Sequence, residues 1–301
     1  MANQTRNKST GKPMDRVDGR LKVTGGAKYF ADQQVVGLTY ASIVTSTIAK
    51  GSIKKLNAQK ALAAPGVLSV ISHLNAPPIP GFQDNIEAKK NNEDKVQELK
   101  IFKDNRIYSS GQPIAIVVAD TLERAVYAAS LVTVEYDKET SQTDLLSNIE
   151  KGVPPDEDAD YTRGDAQAVD HAAFIVNETY TSPTEIHNPM ELAGIIAMWE
   201  GEKLKVFVKT QGVKDHQKSL HETFKIPIED IQVNSEFVGG AFGMSLRVWP
   251  HEIAAIVAAK QIKRPVKLVI GRNDMFTMVG YRPQAIQKMK TGSMAKYNYG
   301  I

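Results

Sequence analysis

Two short stretches of this 301-residue chain join residue types suited to holding a polar ligand. The first is "VGGAFG" at 238–243, where Gly239, Gly240 and Gly243 surround Ala241 and Phe242. Glycine tolerates positive φ and lets backbone approach a ligand with no Cβ in the way. Free N–H groups at such a turn bind anionic or strongly polar groups, much as helix N-termini do. The spacing is not G-x-G-x-x-G, and no Gly-Lys-Ser/Thr follows, so this is not a phosphate loop of the common kinds. The second is "KTQGV", in which Gln211 ends a strand pattern and Gly212 precedes a helix pattern. A glutamine amide there can both donate and accept. Each stretch alone admits a plainer reading. The first is then a turn between strand and helix, the second a polar residue at a strand end.

Other chemistries find less support. The six histidines are His73, His171, His187, His216, His221 and His251. His216 and His221 are five apart and share no helix face, and "HEIAA" lacks the second histidine of a zinc-protease helix. No metal site built from protein ligands follows. Glu185, His187 and Glu191 in "TEIHNPMEL" read as a capped turn beside proline. There are no cysteines, so the chain holds neither a disulfide nor an iron–sulfur cluster on its own thiolates. A net charge of +3 with scattered Lys and Arg gives no nucleic-acid footprint. The polar start "MANQTRNKSTGKPMDR" is no signal peptide, and no run of 18 apolar residues spans a membrane. Together with the lack of cysteine this leads to an expected cytoplasmic location.

The elements that must position these stretches are legible as apolar patterns. "LTYASIVTS", "VLSVISHL", "PIAIVVAD" and "VTVEYD" read as strands, with "IKKLNAQKALAAPG" and "TLERAVYAASL" as helices and Thr121 as the cap of the second. "HLNAPPIPGFQDNIEAKKNNEDK" reads as a surface loop. After a linker-like "EKGVPPDEDADYTRGDA", "HAAFIVNETYTSP" reads as a strand and "IIAMWEGEKLKVFVKT" as a hairpin turning at Gly201. "GVKDHQKSLHETF" is a helix with Val213, Leu220 and Phe224 on one face, "IEDIQVNSEF" alternates, "PHEIAAIVAAKQ" is a helix opened by Pro250, and "RPVKLVIG" is a buried strand. The expected fold class is mixed α/β.

In order along the chain, "RVDGRLKVTGGAKYFADQ", "GQPIAIVVADTLERAVYAA", "IHNPMEL", "KTQGV" and "VGGAFG" resemble the molybdenum-cofactor-binding subunit of the xanthine dehydrogenase and aldehyde oxidase family. The resemblance runs from about Met14 to Gln287, and "SLRVWPHE" is most similar to the bacterial three-subunit aldehyde oxidoreductases. It implies an a/b hammerhead domain followed by the first part of a molybdopterin-binding domain. The expected boundaries are a disordered tail over 1–14, the hammerhead over 15–138, a linker over 139–165 and the cofactor-binding part over 166–301.

The resemblance further implies that Gln211, Gly212, Gly239, Gly240, Ala241, Phe242 and Gly243 contact a molybdopterin-type cofactor, with Phe242 and the Gln211 amide near oxygen on the metal. Molybdenum would be held by the pterin dithiolene, with no protein ligand. The implied reaction oxidises an aldehyde or an N-heterocycle, with water as the oxygen source. Iron–sulfur and FAD subunits would take the electrons. Two departures temper this. The family pattern after "HNPME" continues with proline and histidine, where this chain has Leu192 and Ala193. No segment after Gly243 resembles the glycine-rich loop carrying the family's general-base glutamate, so no catalytic residue is assigned and a truncated chain is expected. A split first half needing a complementary C-terminal half, a non-catalytic remnant that binds cofactor or partner subunits, and a pterin carrier or sensor are the alternatives.

Overall fold

The computed structural model describes residues 11–82, 99–152 and 161–294. Residues 1–10 of the expected 1–14 tail, 83–98 including the charged part of the surface loop, the linker's 153–160 and the end over 295–301 lie outside these residues. The strands, in chain order, are β1 (Thr39–Thr45), β2 (Gly51–Asn57), β3 (Val67–Ser72), β4 (Arg106–Ile107), β5 (Pro113–Ala119), β6 (Thr133–Lys138), β7 (Phe174–Ser182), β8 (Glu185–Ile186), β9 (Gly194–Glu200), β10 (Lys203–Val208), β11 (Ile231–Asn234), β12 (Val266–Val269), β13 (Tyr281–Arg282) and β14 (Ala285–Ser293). Seven of them form one sheet in the order β11-β10-β9-β12-β1-β5-β3. A second sheet, β4-β2-β6, stands beside it, and β13-β8 and β14-β7 are two-stranded.

The large sheet crosses the expected 139–165 linker. β1 pairs in parallel with β12, Thr39 opposite Val266 and Ala41 opposite Leu268. Strands from both sequence units thus share one hydrogen-bonded ladder. β5 is buried along its whole length, and its period of two sends side chains to two cores. Ile116 and Val118 face the main core, which is filled by the Pro250–Ile262 helix, while Val117 joins Ala61 and Ala128 on the other side. The Pro250–Ile262 helix is buried from His251 through Ala259. A helix apolar on all sides has to be enclosed, and its alanines let it lie close to the strands.

One expected helix is corrected. The first part of "IKKLNAQKALAAPG", through Asn57, is strand, with helix confined to Gln59–Leu62. β2 pairs with β6, Ile53 opposite Tyr136 and Leu56 opposite Val134, and Ile53 is buried among Ile48, Ile107 and Ile114. Cross-strand burial outweighs the helix propensity of the lysines and leucine. The cap at Thr121 forms as expected, its hydroxyl accepting from the Arg124 N–H.

Candidate functional site

β10 and β11 run parallel, with Leu204 opposite Ile231 and Phe207 opposite Asn234, so their carboxyl ends lie side by side. The chain leaving β10 becomes Lys209–Gly212 and enters the Val213–Phe224 helix, with Gly212 at the N-cap. The chain leaving β11 becomes the 239–243 turn and reaches the buried helix at Pro250. Open α/β sheets bind ligands in this position, because the loops at the carboxyl ends converge there.

The two loops are joined directly. Gln211 Oε1 accepts from the Gly243 N–H at 3.0 Å. The Gln211 N–H donates to the Ser245 carbonyl at 2.9 Å, and Thr210 Oγ1 donates to the same carbonyl at 3.2 Å. At the other end of the turn, Glu191 Oε2 accepts from the Gly239 N–H at 2.6 Å, and the Glu191 N–H donates to the Gly239 carbonyl at 3.1 Å. A Cβ on Gly239 would lie 2.7 Å from the Glu191 Cβ, so glycine is required for this close approach. Gly240, Phe242 and Gly243 all have positive φ, at 87°, 55° and 99°. For Phe242 that is a strained conformation of the kind that collects at ligand sites. Between the two anchors, the N–H groups of Gly240, Ala241 and Phe242 donate to no acceptor among the described residues. The turn is held at both ends, with three donors left in the middle.

All seven expected site residues therefore fall at one place, and the structure adds the groups behind them. Lys209 is buried and its Nζ donates to the Glu191 carbonyl at 2.6 Å. Burial pulls its amine down to about 8, and the nearby Glu191 opposes that shift. Burial likewise raises the Glu191 carboxyl, against the pull of the Gly239 N–H. Arg272 clamps the neighbouring 188–190 segment, donating to the Pro189 carbonyl at 2.6 Å, the Met190 carbonyl at 2.7 Å and Asn188 Oδ1 at 2.9 Å. Trp249 Nε1 donates to the Met244 carbonyl at 2.8 Å, and its N–H to Glu252 Oε2 at 3.4 Å. Glu252 is buried with His216 Nε2 3.2 Å from its Oε2 and His251 Nε2 4.0 Å from its Oε1. Burial holds the His251 imidazole below its ordinary range.

The stretch "TEIHNPMEL", which reads in sequence as a capped turn, divides in the structure. Glu191 is the anchor of Gly239, while Glu185 sits in β8 opposite Arg282. The proline and carboxylate of that stretch are its only signal in the sequence. Lys209 is concealed as the first letter of "KTQGV", and Arg272 carries no signal at all. On the outer side, Phe242 is 73% exposed and Leu246 and Met190 are exposed too. Among the described residues no group of three or more His, Cys, Asp or Glu is placed to hold a metal ion, and no helix is long and apolar enough to cross a membrane.

The glycine turn and the glutamine loop thus meet at the carboxyl ends of β10 and β11, in a sheet built from both sequence units, where α/β folds place ligand sites. The chain belongs to the aldehyde oxidase and xanthine dehydrogenase family. Residues 24–140 match the aldehyde oxidase and xanthine dehydrogenase a/b hammerhead domain, and 149–298 the molybdopterin cofactor-binding domain. The chain is 33% identical over 290 residues to the aldehyde oxidoreductase molybdenum-binding subunit of Escherichia coli K12, covering 95% of this chain and 38% of that one. It is 29% identical over 271 residues to the xanthine dehydrogenase molybdenum-binding subunit of Escherichia coli O157:H7, covering 87% of this chain and 36% of that one. The fold is shared with quinoline 2-oxidoreductase from Pseudomonas putida 86, at a TM-score of 0.78 and 22% identity, over 94% of this chain and 37% of that chain. The chain thus spans well under half the length of the relatives it matches.

Proposed function

We propose that this chain is part of a molybdenum hydroxylase that oxidises an aldehyde or an N-heterocycle, and that the 239–243 turn with Gln211 and Gly212 lies against the molybdenum cofactor. The observation that carries this reading is the anchored turn. Glu191 and Gln211 hold its two ends, and the N–H groups of Gly240, Ala241 and Phe242 remain as donors between them. Such a row of fixed donors suits a strongly polar or anionic group. Bound there, the cofactor supplies the two-electron oxidation. The chain's own contribution is positioning. Gln211 presents Nε2 as a donor while its Oε1 is engaged, and Phe242, 73% exposed, offers an apolar wall beside the turn.

For an aldehyde the overall change is RCHO + H2O → RCOOH + 2H⁺ + 2e⁻. The electrons pass to iron–sulfur clusters and FAD on partner subunits, since this chain has no cysteine to hold a cluster. The proton-abstracting base is expected outside this chain. We read 15–138 and 166–301 as two units of sequence that share one sheet, and we place the assembly in the cytoplasm on the cysteine-free composition. A second reading, the first half of a split subunit, is favoured by the exposed Phe242, Leu246 and Met190 around the site, which suit cover by another body. The test is pterin and molybdenum content of the chain purified with a complementing portion and partner subunits. Near-stoichiometric pterin is expected. An assembled complex without pterin would overturn the reading.

A further inference from the structure

Behind the two site loops lie three buried titratable side chains, His216, His251 and Glu252. His216 is on the Val213–Phe224 helix, and its N–H donates to the Gly212 carbonyl at 2.9 Å. His251 and Glu252 open the Pro250–Ile262 helix, which follows the 239–243 turn. His216 Nε2 lies 3.2 Å from Glu252 Oε2, and His251 Nε2 lies 4.0 Å from Glu252 Oε1. No ring nitrogen of either histidine meets the geometry of a hydrogen bond with a described residue. The 3.2 Å approach to Glu252 is the shortest side-chain contact within the cluster. The three groups are not placed to hold a metal ion.

Stability does not account for this cluster, because replacing a buried polar pair by apolar groups of similar volume is often neutral or stabilising. Its position does. Glu252 Oε2 also accepts from the Trp249 N–H at 3.4 Å, Trp249 Nε1 donates to the Met244 carbonyl at 2.8 Å, and the Met244 N–H donates to the Ala241 carbonyl at 3.0 Å. One oxygen of Glu252 is thus joined to the glycine turn through Trp249, and through His216 to the helix that begins beside Gln211. In front, the same two loops are closed by Gln211 Oε1 and the Gly243 N–H. We propose that Glu252 and His216 are positioning residues that close the two loops from behind, and so fix how Gln211 and the turn face the molybdenum cofactor. Both side chains are enclosed in the interior, so they act through Trp249 and Gly212 and not on the ligand. The inference rests on the reading above for the cofactor, while the closure stands on contacts within this chain.

The test is amide hydrogen exchange on the 301-residue chain, followed by molybdenum content in assembly with a complementing portion and partner subunits. His216→Leu/Glu252→Leu makes the contact apolar and is expected to fold at least as stably as the wild type in urea denaturation. Its Gln211 and Gly243 amides, which bridge the loops, should exchange roughly tenfold faster, while core amides such as Val206 stay within about twofold. In assembly this variant should lose most of its molybdenum. Glu252→Gln keeps an acceptor for the Trp249 N–H and a polar partner for His216, so its loop exchange should stay within about twofold of the wild type, with molybdenum retained. Unchanged loop exchange in the double variant overturns the proposal. So does a double variant that fails to fold, or whose core and loop amides accelerate together, since the cluster is then part of the core alone. Glu252→Gln behaving like the double variant overturns it as well, because the contacts are kept and only the charge is lost. The expected exchange pattern, with a wild-type assembly that contains no molybdenum, leaves the closure standing and overturns the cofactor reading.

Discussion

Behind the 239–243 turn stand Glu191, Lys209, Thr210, Gln211 and Trp249, each tied to backbone by a hydrogen bond of 3.2 Å or less. The β7–β14 ribbon is touched by one short turn and an ion pair near one end, and exposes Phe174, Ile175, Val176, Tyr180 and Met289. The turn is rigid and presents polar donors, whereas the ribbon is lightly supported and presents hydrocarbon. Rigid donors suit a small charged ligand, because no ordering cost falls on the protein when it binds. An unburied apolar stripe suits a protein surface, because only a large body removes that area from water.

The widest contrast lies in side-chain truncation. Ile256→Ala removes a fully buried side chain in the main core and is expected to cost about 2–5 kcal/mol in urea denaturation. Val176→Ala on the ribbon should stay within about 0.5 kcal/mol. Equal losses at the two positions would mean that the ribbon is packed in solution.

Backbone strain gives the next contrast. Gly240→Val places a β-branched residue at φ 87° and is expected to cost about 1–3 kcal/mol, with loss of molybdenum from the assembled protein. Gly201, in the β9–β10 turn at φ 62°, would have nothing within 4 Å of an added Cβ. Gly201→Ala should therefore lose only the roughly 1–2 kcal/mol of its positive φ and retain full metal. Full molybdenum in Gly240→Val would make the turn purely structural.

Proton linkage probes the turn's buried support. The folded Lys209 amine loses its proton near 8, while the unfolded chain keeps it to about 10.4. Between those values the unfolded state binds more protons, so stability rises with pH. Unfolding free energy measured at pH 7.5 and 9.5 should increase for the wild type, relative to Lys209→Met, by on the order of 1 kcal/mol. No relative increase would mean that Lys209 is solvated.

The smallest expected effect is at Gln211. Gln211→Ala removes the bond to the Gly243 N–H and should cost about 0.5–1.5 kcal/mol. Molybdenum should be retained while turnover of the assembled enzyme slows. Phe242→Ala should behave similarly, since its ring is largely exposed and the backbone is kept. Loss of metal in either variant would show that the side chain holds the cofactor.

The order of motifs is enough to read the family, because "KTQGV" and "VGGAFG" carry residue types that few other arrangements need. β5, the hairpin at Gly201 and the helix opened by Pro250 are legible as well, from continuous apolar runs and local turn chemistry. Local patterns cannot say that β1 pairs with β12 across more than 200 residues, since ladder pairing depends on distant partners. The same blindness makes "IKKLN" read as a helix, where pairing with β6 makes it a strand. In the site, glycine spacing announces the turn but not its anchors. Glu191, Lys209 and Arg272 become meaningful only when folding buries a carboxylate beside a backbone N–H and an amine beside a carbonyl. A buried polar group must find a partner, and that partner is chosen by space, not by position in the sequence.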